Sequence, residues 1–187
     1  MLVDLTIEVS VATRAKALQN EWMVAFGHLG THFDVMNKQF PLENVELPGV
    51  VFDVSDVGNR DIDIEDIDIS IIESRMFVAL HTGFIERVEY GTDDYFRTHP
   101  QLSDRLIGNL VERHIAIIGI DFAGIRRGRE HTPKDQFCAD RGVFVVENLA
   151  NLKGLLGEAK QRHFTAHTYP IKLADMSGLP CRVIGKL

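Results

Sequence analysis

Residues 27–34 read Gly27-His28-Leu29-Gly30-Thr31-His32-Phe33-Asp34. Two imidazoles and a carboxylate fall in one short run, and His, His and Asp are side chains that zinc or manganese accept. On a helix, His28 and His32 would share a face, four residues apart. In an extended chain, positions 28, 30, 32 and 34 point the same way. Gly30 disfavours the helix, and only the extended form adds Asp34 to the same face. The spacing therefore predicts an extended segment with three candidate metal ligands on one surface and Gly30 leaving room between them. The same spacing also suits two hydrogen-bonded histidines that bind nothing.

Outward from this segment, the chain alternates strand and helix signals. Residues 1–9 have strand character, and residues 14–22 have weak helical character. Residues 50–54 (VVFDV) form a β-branched and aromatic run of strand type. Residues 60–72 (RDIDIEDIDISII) alternate as a strand does, although Glu65-Asp66 breaks the period of two. Residues 76–81 (MFVALH) and 143–146 (VFVV) are buried strand candidates, and 115–120 (IAIIGI) is apolar throughout, the mark of a strand covered on both faces. Ser103 is a candidate N-cap for a helix over 103–114, where Leu106, Ile107, Leu110 and Val111 share one face. Thr132-Pro133 suits the start of another helix. A short helix is expected over 151–158, with closing strands over 167–173 and 182–184. This mixture predicts an α/β fold, a mixed sheet with flanking helices.

The composition sets outer bounds. The 187 residues suit one domain spanning 1–187, and a chain of this size buries roughly 70% of its unfolded surface. Apolar residues make up 45% and charged residues 25%, which excludes disordered and collagen-like classes. Asp and Glu number 27 against 20 Lys and Arg, a net charge of −7. That balance argues against nucleic acid and anionic membrane as partners. Two cysteines are too few for a disulfide framework. Asp4 and Glu8 interrupt the N-terminal apolar residues, so no signal peptide is expected, and no apolar run is long enough to span a membrane. The expectation is a cytoplasmic protein. Eight histidines are the unusual count, and they matter only where some converge.

His28-Leu29-Gly30-Thr31-His32-Phe33-Asp34 resembles the His-x-Gly-Thr-His-x-Asp signature of the putative cyclase family. That family includes the bacterial arylformamidases (kynurenine formamidases), which are metal-dependent amide hydrolases. Other segments agree in order: Val3-Asp4-Leu5-Thr6, Leu80-His81-Thr82-Gly83-Phe84, His99-Pro100-Gln101-Leu102-Ser103, Ile118-Gly119-Ile120-Asp121 and Glu147-Asn148-Leu149. The likeness spans nearly the whole chain. It implies a swivelling β/β/α fold, a metal bound by the histidine motif, and a homo-oligomer, dimer or tetramer. Carried over by position, His28, His32 and Asp34 match metal ligands, and Glu147 matches a carboxylate ligand. The family motif continues Asp-x-Pro-x-His, whereas here Met36 stands for the proline and Lys38 for a histidine that assists catalysis. A histidine ligand of the family corresponds to Asp135 here, and oxygen for nitrogen tilts the preference from zinc toward manganese or magnesium.

The other candidates carry two readings each. Thr132-Pro133-Lys134-Asp135 resembles a capping box, so Asp135 is either a ligand or a cap. His131 is a loop histidine, or a ligand or proton carrier in place of the family's histidine. Lys38 is a solvated lysine, or a group that steadies an oxyanion or moves a proton. Trp22 walls a substrate pocket or packs. The acids of residues 61–66 lack the glycine of a calcium loop and read as a solvated face. Cys138 reads as the buried side of a helix, and Arg126-Arg127-Gly128-Arg129 as a small basic patch near the site or an ordinary loop. The expected function is a metal-dependent hydrolase of an amide, N-formyl, lactam or related carbonyl bond in a small-molecule substrate. It uses a divalent metal, zinc or manganese, and no organic cofactor. The alternative is a metal-binding or small-molecule-binding protein of the same fold without turnover.

Overall fold

The computed structural model describes residues 1–17 and 27–187. Trp22 and the end of the helix expected over 14–22 lie outside the described residues. In chain order the elements are β1 (Leu2–Asp4), α1 (Val11–Ala17), β2 (His32–Asp34), β3 (Glu46–Asp53) and β4 (Phe77–His81). Next come α2 (Phe84–Arg87), α3 (Asp93–Thr98), α4 (Asp104–Glu112), β5 (Ile117–Ile120) and α5 (His131–Ala139). The chain closes with β6 (Phe144–Glu147), α6 (Leu152–Leu156), β7 (Gln161–Pro170) and β8 (Gly178–Lys186).

Strands β2 to β8 form a closed mixed barrel in the order β8-β2-β6-β5-β4-β3-β7, with β7 returning to β8. The run β3-β4-β5-β6 is parallel; β2, β7 and β8 join it antiparallel. β1 pairs with the end of β8. This is the mixed α/β architecture with flanking helices that the sequence anticipates.

Two cores explain why the parallel strands are apolar through their middles. Phe33, Val51, Phe77, Ala79, Ile117, Val146, Phe164 and Val183 belong to one cluster, which draws on all seven barrel strands and fills the barrel. Val50, Phe52, Val78, Leu80, Ile118 and Val145 face the other way. They pack against Leu106, Ile107, Leu110 and Val111 of α4. Burying each such side chain contributes about 1.5–3 kcal/mol. Ser103 caps α4 by accepting a hydrogen bond from the Leu106 amide at 3.0 Å, as the sequence predicts.

Residues 60–72 depart from the strand that their alternation suggests. They form one-turn helices at Ile64–Asp66 and Ile69–Ile71. Asp63 and Asp66 make a reciprocal capping box, and Asp68 accepts from the Ser70 amide, so these carboxylates satisfy the backbone locally instead of a neighbouring strand. The acids are also not simply solvated: Arg60 pairs with Asp66, Arg105 with Asp63 and Glu65, and Arg126 with Asp61. Arg126 is thus a structural tie and Cys138 is buried. Among the described residues, no helix is long and apolar enough to cross a membrane.

Candidate metal centre

β2 and β6 lie antiparallel, with His32 directly opposite Glu147 and Asp34 opposite Val145. Opposed residues, and residues two apart, share a sheet face. Phe33 and Val146 point into the barrel, so His32, Asp34 and Glu147 must point outward. α5 lies against that face and brings His131 and Asp135, spaced i and i+4, onto one stripe.

His28 reaches the same place by a different route from the expected one. Only His32–Asp34 is strand; His28 sits on a turn. Gly27 and Gly30 both take positive φ, 76° and 73°. A Cβ on Gly27 would stand 2.0 Å from the Gly178 carbonyl oxygen. The turn folds His28 back over His32, with ring centroids 4.8 Å apart.

His28 Nδ1, His32 Nε2 and Asp34 Oδ1 form a triangle with edges of 3.1, 3.1 and 3.7 Å. Ligands of a tetrahedral zinc ion stand about 3.3 Å apart, given metal–nitrogen distances of about 2.0 Å. His28 Nε2 lies 2.9 Å from Ser177 Oγ, and His32 Nδ1 lies 2.9 Å from the Gly30 carbonyl oxygen. A carbonyl only accepts, so His32 carries its proton on Nδ1 and presents the Nε2 lone pair to the triangle. A second group, Asp34, His131, Asp135 and Glu147, offers ligand atoms that all lie within 4.8 Å of one another. There His131 Nε2 is 3.1 Å from Glu147 Oε1 and 3.2 Å from Asp135 Oδ2. Asp34 belongs to both groups.

The electrostatics of the cluster suit a divalent cation. Asp34, Asp135 and Glu147 are buried together, and Asp34 Oδ2 and Asp135 Oδ1 have no hydrogen-bond partner. Burial and the Asp34 charge push the Asp135 and Glu147 carboxyls above the usual carboxylate range. Burial opposes ionisation of Asp34 too, but the His28 hydrogen bond and the adjacent imidazoles hold it below that range. Burial disfavours the His131 cation, yet its bond to Glu147 and the surrounding carboxylates raise it to about 10. Unpaired buried carboxylate oxygens beside correctly spaced imidazoles are what a divalent cation would satisfy.

The remaining candidates separate. Asp135 is no cap: α5 begins at His131, its N-cap position is Glu130, and no side chain caps it. Lys38 Nζ sits 2.7 Å from Asp140 Oδ1 and engages that carboxylate, apart from both donor groups. All these residues line a cleft of about 1530 Å³, whose apolar wall includes Phe40, Phe96, Tyr169, Ile171 and Leu179. The sequence reading missed Ser177, Tyr95 and Asn148. The one available signal was Asn148 beside Glu147, since Asn often ends a strand in the left-handed region it occupies here, φ 58°.

A barrel that presents imidazoles and carboxylates together at one strand edge is the framework of a metal-binding α/β protein. The chain belongs to the putative cyclase family, whose family model, described as Putative cyclase, matches residues 3–126. No curated protein matches it. Among solved structures, a potential metal-dependent hydrolase with cyclase activity is 26% identical, with a TM-score of 0.67 over 84% of this chain and 76% of the other. Isatin hydrolase A from Labrenzia aggregata, bound to benzyl benzoate, is 20% identical, with a TM-score of 0.75 over 99% and 93%. A protein from Bacillus stearothermophilus described as a predicted metal-dependent hydrolase is 21% identical, with a TM-score of 0.73 over 99% and 97%. The family match includes the histidine motif and ends before His131, Asp135 and Glu147.

Proposed function

We propose that this protein is a metal-dependent hydrolase of an amide, N-formyl, lactam or related carbonyl bond in a small-molecule substrate. The observation that carries the reading is the convergence of six donor side chains around two buried carboxylate oxygens without partners. Family membership and the hydrolase neighbours support it. His28, His32 and Asp34 would hold one cation; Asp34, His131, Asp135 and Glu147 form a second position. The nitrogen-rich first set favours zinc, and the oxygen-rich second set favours manganese. A bound divalent metal would polarise the carbonyl and lower the pKa of water toward neutrality.

The chain's own groups supply the rest. His131 holds a proton at Nε2 between Glu147 and Asp135, and its ring is the most exposed of the six donors, at 37% against 28% for His28. With only the first position filled, it is assigned the transfer of a proton to the leaving nitrogen; with the second filled, its Nε2 is a ligand instead. Lys38, engaged by Asp140, is not given that role. The apolar wall of Phe40, Phe96 and Leu179 excludes water and favours an apolar substrate face. Leu42, Tyr169 and Ile171, all exposed at the rim of the cleft, are surfaces that a second copy in a homo-oligomer would cover.

The test is elemental analysis of protein purified without added metal, followed by turnover of N-formylated aromatic amines, lactams and cyclic imides with zinc or manganese. Turnover lost in His32→Ala supports the reading; absence of metal uptake refutes it. Metal uptake without turnover selects instead a binding protein on this fold, which the diversion of Lys38 to Asp140 favours.

A further inference from the structure

Gly30, whose carbonyl orients His32, is itself held on both sides. The Gly30 carbonyl accepts from His32 Nδ1 at 2.9 Å and from Asn148 Nδ2, also at 2.9 Å. The Gly30 amide donates to the Tyr90 hydroxyl oxygen at 2.7 Å. Asn148 Oδ1 accepts from the Tyr95 hydroxyl at 2.8 Å, which fixes which end of the amide faces Gly30. The Asn148 backbone carbonyl accepts from Thr31 Oγ1 at 2.7 Å, tying the turn after β6 to the turn before β2. Asn148, Tyr95 and Tyr90 are all buried.

Both polar ends of the Asn148 side chain make buried hydrogen bonds within the protein. What it touches is the carbonyl that decides which nitrogen of His32 carries the proton. A carbonyl with a second donor at a fixed place cannot swing away from the imidazole without breaking a buried hydrogen bond. Partners of this kind set the tautomer and ring angle of a metal-binding histidine.

We propose that Asn148 is a positioning residue: with Tyr95 it holds the Gly30 carbonyl so that His32 keeps its proton on Nδ1 and presents Nε2 to the cation. The inference rests on the metal reading above. The left-handed backbone at Asn148 dictates the variants, because alanine there would add strain of its own. Asn148→Gly deletes the side chain at a φ that glycine adopts freely. Asn148→Asp keeps the shape but turns the donor into an acceptor facing a carbonyl. Tyr95→Phe keeps the ring and removes only the hydroxyl that orients the amide.

Two measurements decide it. Zinc affinity, by competition with a chromophoric chelator, should fall by roughly 10–100-fold in Asn148→Gly and Asn148→Asp. Tyr95→Phe should shift it in the same direction by less. Long-range proton–nitrogen NMR of the metal-free protein should show the His32 proton on Nδ1 in the wild type and shared between both nitrogens in Asn148→Gly. A purely structural role would lower stability without moving the tautomer. Unchanged zinc affinity in folded Asn148→Gly, or an unchanged His32 tautomer, overturns the proposal. Should the wild type bind neither zinc nor manganese, the metal reading fails. The tautomer measurement on metal-free protein still decides whether Asn148 positions His32, with Tyr95→Phe as its conservative check.

Discussion

Replacing Asp135 with Asn should stabilise the metal-free protein while weakening its hold on a cation. Asp135 is buried in α5, its Oδ1 has no partner, and its neighbours include the carboxylates of Asp34 and Glu147. Whether this carboxyl ionises among like charges or takes up a proton to avoid doing so, burial makes it costly. A buried polar group without a partner costs about 1–3 kcal/mol, and more when charged. Asn keeps the shape, can still accept from His131 Nε2 with its carbonyl oxygen, and removes a carboxylate from beside Asp34 and Glu147. The expected gain is therefore about 1–3 kcal/mol, or roughly 2–10 °C in Tm for a chain of this size. In zinc the order should close or reverse. Ligand at about a hundred times its Kd adds about 2.7 kcal/mol to a protein that binds it, and Asn is the poorer ligand. Calorimetric melting of both proteins in chelator and in excess zinc measures this directly. A variant that melts lower in chelator, or gains as much from zinc as the wild type does, would refute the reasoning.

Zinc binding should also release protons near pH 7, because Asp135, Glu147 and His131 all bind protons more tightly than usual before the cation arrives. Binding heats that do not vary with the ionisation enthalpy of the buffer would contradict this. Ser177→Ala removes the partner of His28 Nε2. It should weaken zinc on the order of tenfold in a chelator competition, with little change in metal-free Tm. His99 is buried in a stack against Phe122, and burial lowers it to about 4 from the ordinary 6.5. Its contribution is present above pH 6.5 and lost as the pH falls through 4, since the unfolded chain takes up the proton first. The gap is worth about 3 kcal/mol. In urea titrations the stability difference between wild type and His99→Gln should shrink by that order between pH 7 and pH 4; a difference independent of pH counts against it.

The sequence made the strand segments legible wherever both faces are buried. Residues 76–80, 115–120 and 143–146 are apolar at every position because one face fills the barrel and the other packs on the outer core that includes α4. Closure was not legible. It depends on β7 bridging β3 and β8, and the exposed start of β7, Gln161–His163, carries no apolar alternation to announce it. Residues 60–72 mislead for a local reason. Aspartates recurring at alternate positions mimic a half-exposed strand, but Asp63 and Asp68 turn their carboxylates onto nearby amides and wind the chain into turns. Periodicity reports which side chains agree in polarity; it does not report where the backbone amides find acceptors.

At the candidate site, a two-residue difference in where α5 begins separates the two readings of Asp135. A helix starting after Thr132 would spend the carboxylate on capping. A helix starting at His131 with Glu130 at its N-cap position leaves Asp135 mid-helix, directly above His131, and free to face Asp34 and Glu147. The resemblance places an imidazole at position 135, where this chain has a carboxylate; one helical turn earlier, His131 returns an imidazole to the same cluster. The two positions share direction but not depth. Asp135 is buried at the bottom of the stripe, while His131 keeps 37% of its side chain exposed toward the cleft. The cluster thus keeps an imidazole beside its carboxylates, and that imidazole lies on the open side of the cleft.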